Sequence, residues 1–391
     1  MKIIYLGAFR FPNKDAASSR VLNVARALRE SGHTVSFISW GGEQRDEDYC
    51  DDGLYRFDGF PYVITNELES FGGIMSKVFT LLSRGTKTKK ILKSSIGDID
   101  AIITYNNSLT SWLINFCKKH NIYLISDLTE WFSYNELKIF QIPGYVYEMY
   151  CLQRRIKNKI VISSYLDLFY KNTHNVVVPA TCDKLEKKWN VKIHKDELNS
   201  ERFDGTTLIY AGTPARKDAL HYCISAVQQL IDEGAKIRFL ILGITRSDYL
   251  KKYGRLLRSR SLSDDIVFLG RVSQESVPSY YASSDFMILL REVTRKSEAG
   301  FPTKFTESFC SGTPVIANIT SDLNRYLIDG VTGYVLPNVS EESVYNTIKY
   351  KVLNTSKDIL NEMKFNVFKV AKELDYHYYV DSLRVFLDDL K

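Results

Sequence analysis

The stretch that decides the fold is Arg291-Glu-Val-Thr-Arg-Lys-Ser-Glu-Ala-Gly-Phe-Pro-Thr-Lys-Phe-Thr-Glu-Ser-Phe-Cys-Ser-Gly-Thr-Pro-Val-Ile316. It follows an apolar run, residues 286–290, that is typical of a buried strand. Pro302 stands where a helix would begin, and Gly312 with Pro314 would end that helix after about three turns. The stretch therefore predicts strand, loop, helix and strand. The helix N-terminus would lie at the carboxyl edge of a parallel sheet, where α/β proteins bind anions.

Outward from this stretch, apolar strand patterns alternate with helical stripes through both halves of the chain. This rhythm predicts parallel sheets with helices on both faces. A charged segment without strand character, residues 181–205, separates the halves. We therefore expect two α/β, Rossmann-like domains that face each other across a cleft, the usual place for a small-molecule site. The strands are predicted at 2–8, 34–40, 62–65, 99–105, 122–126, 160–163, 176–179, 207–211, 237–242, 266–269, 286–290 and 314–318.

Length and composition exclude several classes of protein. The chain has 391 residues, 45% of them hydrophobic and a net charge of +6, which suits two soluble domains. No apolar run approaches the roughly 20 residues that span a bilayer, and the N-terminus predicts a first strand instead of a signal peptide. The six cysteines form no CxxC pair, so neither a disulfide framework nor a zinc site is indicated. We expect a protein of the reduced cytoplasm.

One stretch is strongly basic. Residues 70–97 contain no acid, and the cations between Lys77 and Lys93 alternate with apolar residues. This pattern fits a face that binds anionic lipid headgroups, which would make the protein peripheral at the inner face of the membrane. It fits a solvated helix face equally well. Nucleic-acid binding is not expected, since no matching motif is present.

Several common nucleotide and hydrolase motifs are missing. Only Gly7 follows the first strand, so the G-x-G-x-x-G fingerprint of dinucleotide enzymes is absent. A Walker loop and a G-x-S-x-G elbow are absent too. The second half instead offers a loop after strand 207–211, in which Gly212 permits close approach and Arg216 with Lys217 would clamp a diphosphate. Read alone, both cations also fit an ordinary exposed turn, and Glu307 fits a solvated helix face.

Five groups of residues in the second half, and two in the first, stand in an order typical of one family. They are Tyr210-Ala-Gly-Thr-Pro-Ala-Arg-Lys-Asp218, Phe268-Leu-Gly-Arg-Val272, Tyr281-Ala-Ser-Ser-Asp285, Phe301-Pro-Thr-Lys-Phe-Thr-Glu-Ser-Phe-Cys-Ser-Gly-Thr-Pro-Val315, Gly330-Val-Thr-Gly-Tyr-Val335, Val161-Ile-Ser-Ser-Tyr-Leu166 and Val178-Pro-Ala-Thr-Cys-Asp183. With them the chain resembles, over nearly its whole length, the retaining glycosyltransferases of family 4, which have the GT-B fold. The resemblance implies an acceptor-binding domain over 1–200, a donor-binding domain over 205–373, and a C-terminal helix, 374–391, that packs back on the first domain.

The resemblance also implies roles for individual residues. Glu307 matches the second glutamate of the family's paired motif and would accept hydrogen bonds from the ribose hydroxyls. Lys217, helped by Arg216, would neutralise the diphosphate. Backbone N–H groups around Thr303 and Lys304 would meet the phosphates or the donor sugar. The donor-binding set is Gly7, Gly212, Thr213, Gly270, Arg271, Val272, Glu298, Gly300, Phe301, Thr303, Lys304 and Glu307.

The sequence departs from the family pattern at four places. Ala299 stands where the first glutamate is usual, and Glu298 is one residue away from it. Pro302 replaces a glycine and Thr213 replaces an arginine. The usual histidine of the first domain is missing from residues 126–132, where Asp127 and Glu130 are the polar candidates. Asp127 would orient the acceptor hydroxyl or stabilise developing positive charge; alternatively it is a helix N-cap in a capping box.

The first domain would contribute its share of the site from the end of strand 2–8. Gly7 would let the backbone approach the donor diphosphate, and the polar loop 9–20 would face the cleft. Arg10, Ser19 and Arg20, with Glu130, are the acceptor-side candidates. The catalytic candidates are Lys217, Arg216, Glu307 and Asp127.

The resemblance implies transfer of a sugar from a UDP- or GDP-sugar to a hydroxyl of a glycan or lipid-linked acceptor, with retention at the anomeric carbon. Cell-surface polysaccharide synthesis is the expected setting. No metal or other cofactor is expected, because the cations would stabilise the leaving diphosphate. Two alternatives are a nucleotide-sugar epimerase of the same fold and a non-catalytic partner protein, the latter suggested by Ala299 and Thr213.

Overall fold

Two separate sheets organise the chain, one in each of two units. The computed structural model describes residues 1–12, 15–68, 83–189, 203–214, 218–259 and 261–391. The N-terminal unit is Met1–Thr181 together with Tyr376–Lys391, and the C-terminal unit is Cys182–Asp375. The division falls at residue 181, earlier than the sequence placed it. The reason is that Cys182 donates its backbone N–H to the Leu374 carbonyl and bridges Asp375, so this segment belongs to the C-terminal unit.

The N-terminal unit contains an eight-stranded sheet in the order β3-β4-β2-β1-β5-β6-β7-β8. Its strand pairs are parallel apart from β3, which is antiparallel to β4. The α/β prediction is confirmed, although β3 was not predicted. The strands are β1 (Lys2–Phe11), β2 (Thr34–Gly42), β3 (Tyr55–Phe57), β4 (Phe60–Ile64), β5 (Ala101–Tyr105), β6 (Tyr123–Leu128), β7 (Asn158–Val161) and β8 (His174–Val177).

The C-terminal unit contains a six-stranded sheet, all parallel, in the order β11-β10-β9-β12-β13-β14. Strand β12 lies in the middle and is fully buried, so the stretch that follows it starts at the centre of the carboxyl edge. The strands are β9 (Thr206–Ala211), β10 (Ile237–Leu242), β11 (Ile266–Gly270), β12 (Phe286–Leu289), β13 (Val315–Asn318) and β14 (Gly333–Leu336).

Helices cover these sheets. The α-helices of the N-terminal unit are α1 (Ala16–Glu30), α2 (Thr86–Ser94), α3 (Thr110–His120), α4 (Ile142–Tyr147), α5 (Gln153–Arg155) and α6 (Ser164–Phe169). Those of the C-terminal unit are α7 (Leu220–Asp232), α8 (Arg246–Tyr253), α9 (Val277–Ser283), α10 (Arg295–Ala299), α11 (Thr303–Cys310), α12 (Glu341–Thr347) and α13 (Lys357–Val370). Helix α14 (Val380–Asp388) returns to the N-terminal unit. Two π-helical turns (Glu148–Leu152 and Ile348–Val352) and short 3₁₀ turns (Asp46–Asp48, Tyr134–Glu136, Ile139–Gln141, Lys187–Trp189, Gly254–Leu256, Ser321–Arg325, Ala371–Leu374 and Tyr376–Tyr379) complete the described elements.

The N-terminal sheet is covered on both faces. Ile3 and Tyr5 of β1 enter one buried cluster, together with α1 and α14, whereas Ile4 and Leu6 enter another with α3. This alternation follows from the pleat of a strand, in which successive side chains point to opposite faces.

The loop predicted over residues 9–20 is wrong in two respects. Strand β1 runs on to Phe11, because Arg10 and Phe11 pair with the end of β2. Helix α1 already begins at Ala16, where Asp15 caps it by accepting from the Ser18 N–H. Ser19 and Arg20 therefore lie on a helix, and only Arg10 remains near the strand end.

The cysteines also differ from expectation. Cys182 and Cys310 are joined by a disulfide, although their separation of 128 residues gave no local sequence signal. Cys50, Cys117, Cys151 and Cys223 are free. The disulfide links the first residue of the C-terminal unit to the last residue of α11.

The basic stretch is described only from residue 83 onward, so Lys77 lies outside the described residues. In α2, Leu92 is buried in a core cluster and Ile91 packs against that cluster, while Lys87, Lys90 and Lys93 are exposed. The apolar residues of this helix thus face the protein, as in a solvated helix face. Within the described ranges, none of the helices is both long and apolar enough to cross a bilayer.

Candidate functional site

Helix α11 positions the main candidate residues at the carboxyl edge of the C-terminal sheet. Pro302 precedes its first residue, as predicted, and Phe305 and Phe309 anchor it in the interior. The helix ends after Cys310, shorter than the three turns expected. Thr303 and Lys304 occupy its first turn and Glu307 its second. The packing of the two phenylalanines fixes the helix, and with it the direction in which these residues lie.

Glu307 has an unusual electrostatic environment. Its side chain is half-buried, and burial raises the pKa of the Glu307 carboxyl to about 7. Lys188 and Lys304 oppose this shift by favouring the ionised form. The carboxyl group is therefore poised between its protonated and ionised states near neutral pH, which is common at functional sites.

Lys304 is held by two partners from the neighbouring strand β9 and the residues that follow it. Its ammonium nitrogen lies 2.7 Å from Asp218 Oδ2 and 2.7 Å from Tyr210 Oη. The Tyr210 hydroxyl donates to the same carboxylate oxygen at 2.7 Å. The charge and hydrogen bond of Lys304 outweigh burial and keep the pKa of Asp218 below its usual range. Lys304 is thus fixed at the sheet edge as an ion-paired cation.

Gly212, at the end of β9, is required by this arrangement. A side-chain carbon at residue 212 would lie 2.6 Å from Cε of Lys304, and the backbone there has φ +118°. The close approach that the sequence assigned to a ligand is therefore made by the stem of Lys304. Thr213 beside it is exposed, and Arg216 and Lys217 lie outside the described residues.

The residues predicted around the nucleobase follow β11. Gly270 ends that strand with φ +67°, and its carbonyl accepts the N–H of Gly243 at 2.6 Å. Arg271 is exposed and Val272 is half-buried. These residues lie at the same carboxyl edge of the sheet as α11, because β9 to β14 are all parallel.

Glu298 lies on α10, a short helix in the segment predicted to be a loop. Thr294 and Ser297 form a capping box that starts this helix, and Ala299 at its end is fully buried. Glu298 is half-buried and its Oε1 accepts the Ser321 N–H at 3.4 Å. Gly300 and the buried Phe301 then connect α10 to α11.

Arg291 is a residue of this edge to which the sequence reasoning gave no role. It lies two residues past the end of β12 and is 4% exposed. Burial lowers the pKa of its guanidinium, although the nearby negative charges of Asp218 and Glu298 act to raise it. The available signal was its position, since a charged residue directly after a buried central strand of a parallel sheet lies at the edge where ligands bind.

In the N-terminal unit, Asp127 is buried and is bound by other side chains of the protein. Its side chain has no exposed surface, and Arg20, itself 4% exposed, binds it through Nη2 at 2.7 Å. Tyr5 donates a further hydrogen bond to the carboxylate. Strand β6 continues past Asp127 to Leu128, so Asp127 caps no helix either. The carboxylate is thus buried and hydrogen-bonded to Arg20 and Tyr5, and the N-cap alternative is wrong. The role toward the acceptor stays a prediction.

The other N-terminal candidates are spread out. Gly7 has φ +147°, and a side-chain carbon there would lie 1.8 Å from the Tyr105 carbonyl oxygen, so close packing of β1 on β5 already requires this glycine. Arg10 is exposed and lies 3.7 Å from Asp15. Ser19 on α1 and Glu130 after β6 are exposed. The structure does not bring these four into one cluster.

Comparison with known proteins gives this geometry a family context. Residues 194–364 match the family model described as glycosyl transferases group 1. The matched residues fall within the C-terminal unit, which is called the group 1 domain below.

A curated relative matches a larger part of the chain. The lipopolysaccharide 1,2-N-acetylglucosaminetransferase of Salmonella typhimurium is 23% identical over 233 residues, which is 56% of this chain. The match spans 58% of that relative, a little over half of its length.

Solved structures show the fold of the whole chain. The sucrose-phosphate synthase of Thermosynechococcus elongatus superposes with a TM-score of 0.74 at 16% identity, covering 100% of this chain and 98% of that one. HepE of Anabaena, solved in complex with UDP and glucose, superposes with a TM-score of 0.70 at 14% identity and full coverage of both chains. The predicted GT-B fold is therefore confirmed.

Most of the predicted donor residues fall in the group 1 domain, and the structure brings several of them to one edge of its sheet. Lys304, Glu307 and Gly212 lie together there, with Asp218 and Arg291 as neighbours that the sequence reasoning did not single out. The group 1 domain thus presents a partly buried edge that carries both cations and carboxyl groups, among them Glu307 with its raised pKa. Such an edge is suited to binding a ligand that carries both negative charge and hydroxyl groups.

Proposed function

We propose that this protein transfers a sugar from a nucleoside-diphosphate sugar to a hydroxyl of an acceptor. The observation that carries the proposal is the half-buried Glu307, next to the held cation Lys304, at the carboxyl edge of the group 1 domain. When ionised, the Glu307 carboxylate offers only acceptors, which suits the vicinal hydroxyls of a ribose.

In this proposal the cations assist the leaving group. Lys304, the first-turn N–H groups of α11 and the predicted pair Arg216 and Lys217 stabilise the charge that develops on the departing diphosphate. No metal or other cofactor takes part, so a chelator such as EDTA should leave the rate unchanged. A rate that falls with EDTA and recovers with Mg²⁺ would contradict this part of the proposal.

The donor, the acceptor and the stereochemistry can be specified further. We propose a UDP- or GDP-sugar donor, and the UDP and glucose bound to the similarly folded HepE support the uridine form. The acceptor is a glycan or a lipid-linked sugar of a cell-surface polysaccharide, as the Salmonella relative's lipopolysaccharide activity suggests. The anomeric configuration is retained, as the resemblance to family 4 implies. The N-terminal unit binds the acceptor.

We place the activity in the cytoplasm, peripheral at the inner face of the membrane. A lipid-linked acceptor and the exposed cations Lys87, Lys90 and Lys93 of α2 support this location. The test is co-sedimentation with vesicles that contain phosphatidylserine, at low and high salt. A protein that stays in the supernatant at low salt would contradict membrane contact and leave glycosyl transfer unaffected.

The experiment that tests the activity has two stages. A thermal-shift screen against UDP, GDP, ADP and their sugars first identifies the nucleotide, because a ligand at about 100 times its Kd stabilises the fold by roughly 2.7 kcal/mol. Donor turnover is then compared in the wild type, Glu307→Ala and the control Glu342→Ala, whose carboxylate is exposed on α12. We expect Glu307→Ala to lower kcat/KM for the donor by about tenfold or more, because a hydrogen bond to a charged group contributes roughly 1.5–3 kcal/mol, and the control to be unchanged.

Product analysis separates the alternatives. Equal turnover in Glu307→Ala and wild type would remove Glu307 from the mechanism. Interconversion of the donor without an acceptor would identify an epimerase. Nucleotide binding without turnover of any donor would favour a non-catalytic partner.

A further inference from the structure

Two cations, the buried Arg291 and the partly exposed Lys304, lie near the carboxylate of Asp218 at the carboxyl edge of the group 1 domain. Arg291 is 4% exposed, and the side chains of Lys304 and Asp218 are 19% and 4% exposed. An anion that reaches these two cations would interact with them strongly, because charge interactions are screened less in a partly buried setting than in water.

The carboxylate of Asp218 fixes Lys304 but does not use all of its donors. Lys304 Nζ lies 2.7 Å from Asp218 Oδ2 and 2.7 Å from Tyr210 Oη. An ammonium group carries three N–H donors, so within the described part of the chain these two contacts leave one further donor for a ligand. Asp218 thus holds the cation in place while leaving part of its binding capacity open.

Arg291 is fixed through its backbone. Its N–H donates to Asn318 Oδ1 at 2.8 Å, and its carbonyl accepts from Asn318 Nδ2 at 2.9 Å. A backbone bridge joins Arg291 to Asp218, which places the start of its side chain beside the Asp218–Lys304 pair. The position of this arginine is therefore set by the end of β13 and by residue 218, on either side of β12.

The guanidinium itself contains an unsatisfied donor. Nη1 of Arg291 is buried and has no hydrogen-bond partner among the residues that the structure describes. Buried polar groups are almost always hydrogen-bonded, so each exception needs an explanation. Two acids, Asp218 and Glu298, interact electrostatically with Arg291. Glu298 Oε1 accepts a hydrogen bond from the Ser321 N–H at 3.4 Å.

We propose that Arg291 is a further anion-binding residue, which together with Lys304 binds phosphate oxygens of the donor, and that Asp218 is the positioning residue that holds Lys304 for this task. The identity of the anion as the diphosphate of a nucleotide sugar rests on the proposed function. The proposal that the two cations bind an anion does not rest on that function, because any small polyphosphate could accept hydrogen bonds from the same donors. Planar guanidinium groups are well matched to phosphate oxygens.

The test is calorimetric binding of UDP, inorganic pyrophosphate and uridine to three proteins: wild type, Arg291→Met and the control Arg238→Met. Arg238 lies near the amino end of β10, at the opposite edge of the same sheet, with its guanidinium over the Phe203 ring. We expect Arg291→Met to weaken UDP and pyrophosphate by about tenfold or more and uridine by less than about twofold. The control should bind all three as the wild type does.

The outcomes separate this proposal from the proposed function. Equal pyrophosphate or UDP affinity in wild type and folded Arg291→Met would overturn it, as would a wild type that binds neither. Pyrophosphate binding that depends on Arg291, with no binding of UDP, GDP or ADP, would support the cation pair and contradict the proposed donor. If Arg291→Met does not fold, Arg291→Lys replaces it, since it keeps the charge and removes Nη1. UDP affinity should then fall by about threefold or more, and an unchanged affinity would overturn the proposal.

Discussion

At the scale of single residues, Glu307 combines the strongest functional argument with a cost in stability. Burial holds the pKa of its carboxyl at about 7, against an ordinary value of 4.5. A carboxyl whose pKa is raised on folding favours the folded state only while it is protonated. Its contribution is therefore fully present below about pH 4.5 and is lost as the pH rises through 7.

We predict that Glu307→Gln stabilises the protein at about pH 8 and changes little at about pH 4.5, because glutamine cannot ionise. Each unit of pKa shift corresponds to roughly 1.4 kcal/mol, and partial exposure reduces the effect, so we expect a gain of about 1–3 kcal/mol at the higher pH. Urea denaturation of both proteins at the two pH values measures it. Glu342→Gln, on an exposed carboxylate, is the control. An equal effect at both pH values would show that the gain has another cause.

The residue scale also shows which assignments sequence can make. Glu307 was singled out by the resemblance to the family's paired motif, on a helix that Pro302 and Gly312 delimit in the sequence. Arg291 was missed, because in a sequence it resembles any charge in a loop. The burial of Asp127 against Arg20 was not foreseen, because the two residues are 107 positions apart and no local pattern reveals such a pairing.

At the scale of elements, the order strand, loop, helix, strand was predictable from the apolar run, the proline and the glycine. The short helix α10 was not predicted, because its signal is a single capping box formed by Thr294 and Ser297. The end of α11 is better defined. Gly312 follows it with φ +74°, and a side-chain carbon there would lie 2.4 Å from the Phe368 ring on α13.

We predict that Gly312→Ala destabilises the C-terminal unit by about 2 kcal/mol, roughly twice the cost of the control Gly330→Ala. Gly330 has nearly the same backbone, φ +73°, but nothing lies within 4 Å of an added side-chain carbon. In both variants alanine must adopt a left-handed backbone conformation, which costs of the order of 1 kcal/mol. Only in Gly312→Ala must the added carbon also displace Phe368. Chemical denaturation gives both values.

A double-mutant cycle decides whether Phe368 is the cause. In a Phe368→Ala background, the extra cost of Gly312→Ala over Gly330→Ala should disappear. If the difference persists, the helix end itself, and not its packing on α13, is responsible. Phe368 is 48% exposed, so its own truncation should be tolerated.

At the scale of the whole molecule, two α/β sheets were predictable because the alternation of strand and helix repeats through the chain. The small edge strand β3 was not, since three half-buried residues carry no strong pattern. Composition located the division between the units only to residues 181–205, and its exact position was not predictable. It depends on hydrogen bonds between Cys182 and the Leu374–Asp375 segment, nearly 200 residues apart in the chain.

The C-terminal segment completes the N-terminal unit. Tyr376, Tyr379, Leu383, Phe386 and Leu387 all enter the buried cluster that contains β1 and α1. Leu383 has no exposed surface, whereas Val385, two residues along the same helix, is 60% exposed. The folding of this unit therefore requires the last residues of the chain as well as the first.

We predict that Leu383→Asp destabilises the N-terminal unit by at least about 3 kcal/mol, since it places a charge in an apolar core, and that the control Val385→Asp changes stability by less than about 0.5 kcal/mol. Hydrogen exchange locates the effect. Amides of β1 and α1 should exchange faster in Leu383→Asp, while those of β9 to β12 keep their wild-type protection. Faster exchange spread equally over both sheets would mean that the two units unfold as one, and that helix α14 stabilises the whole chain instead of the N-terminal unit alone.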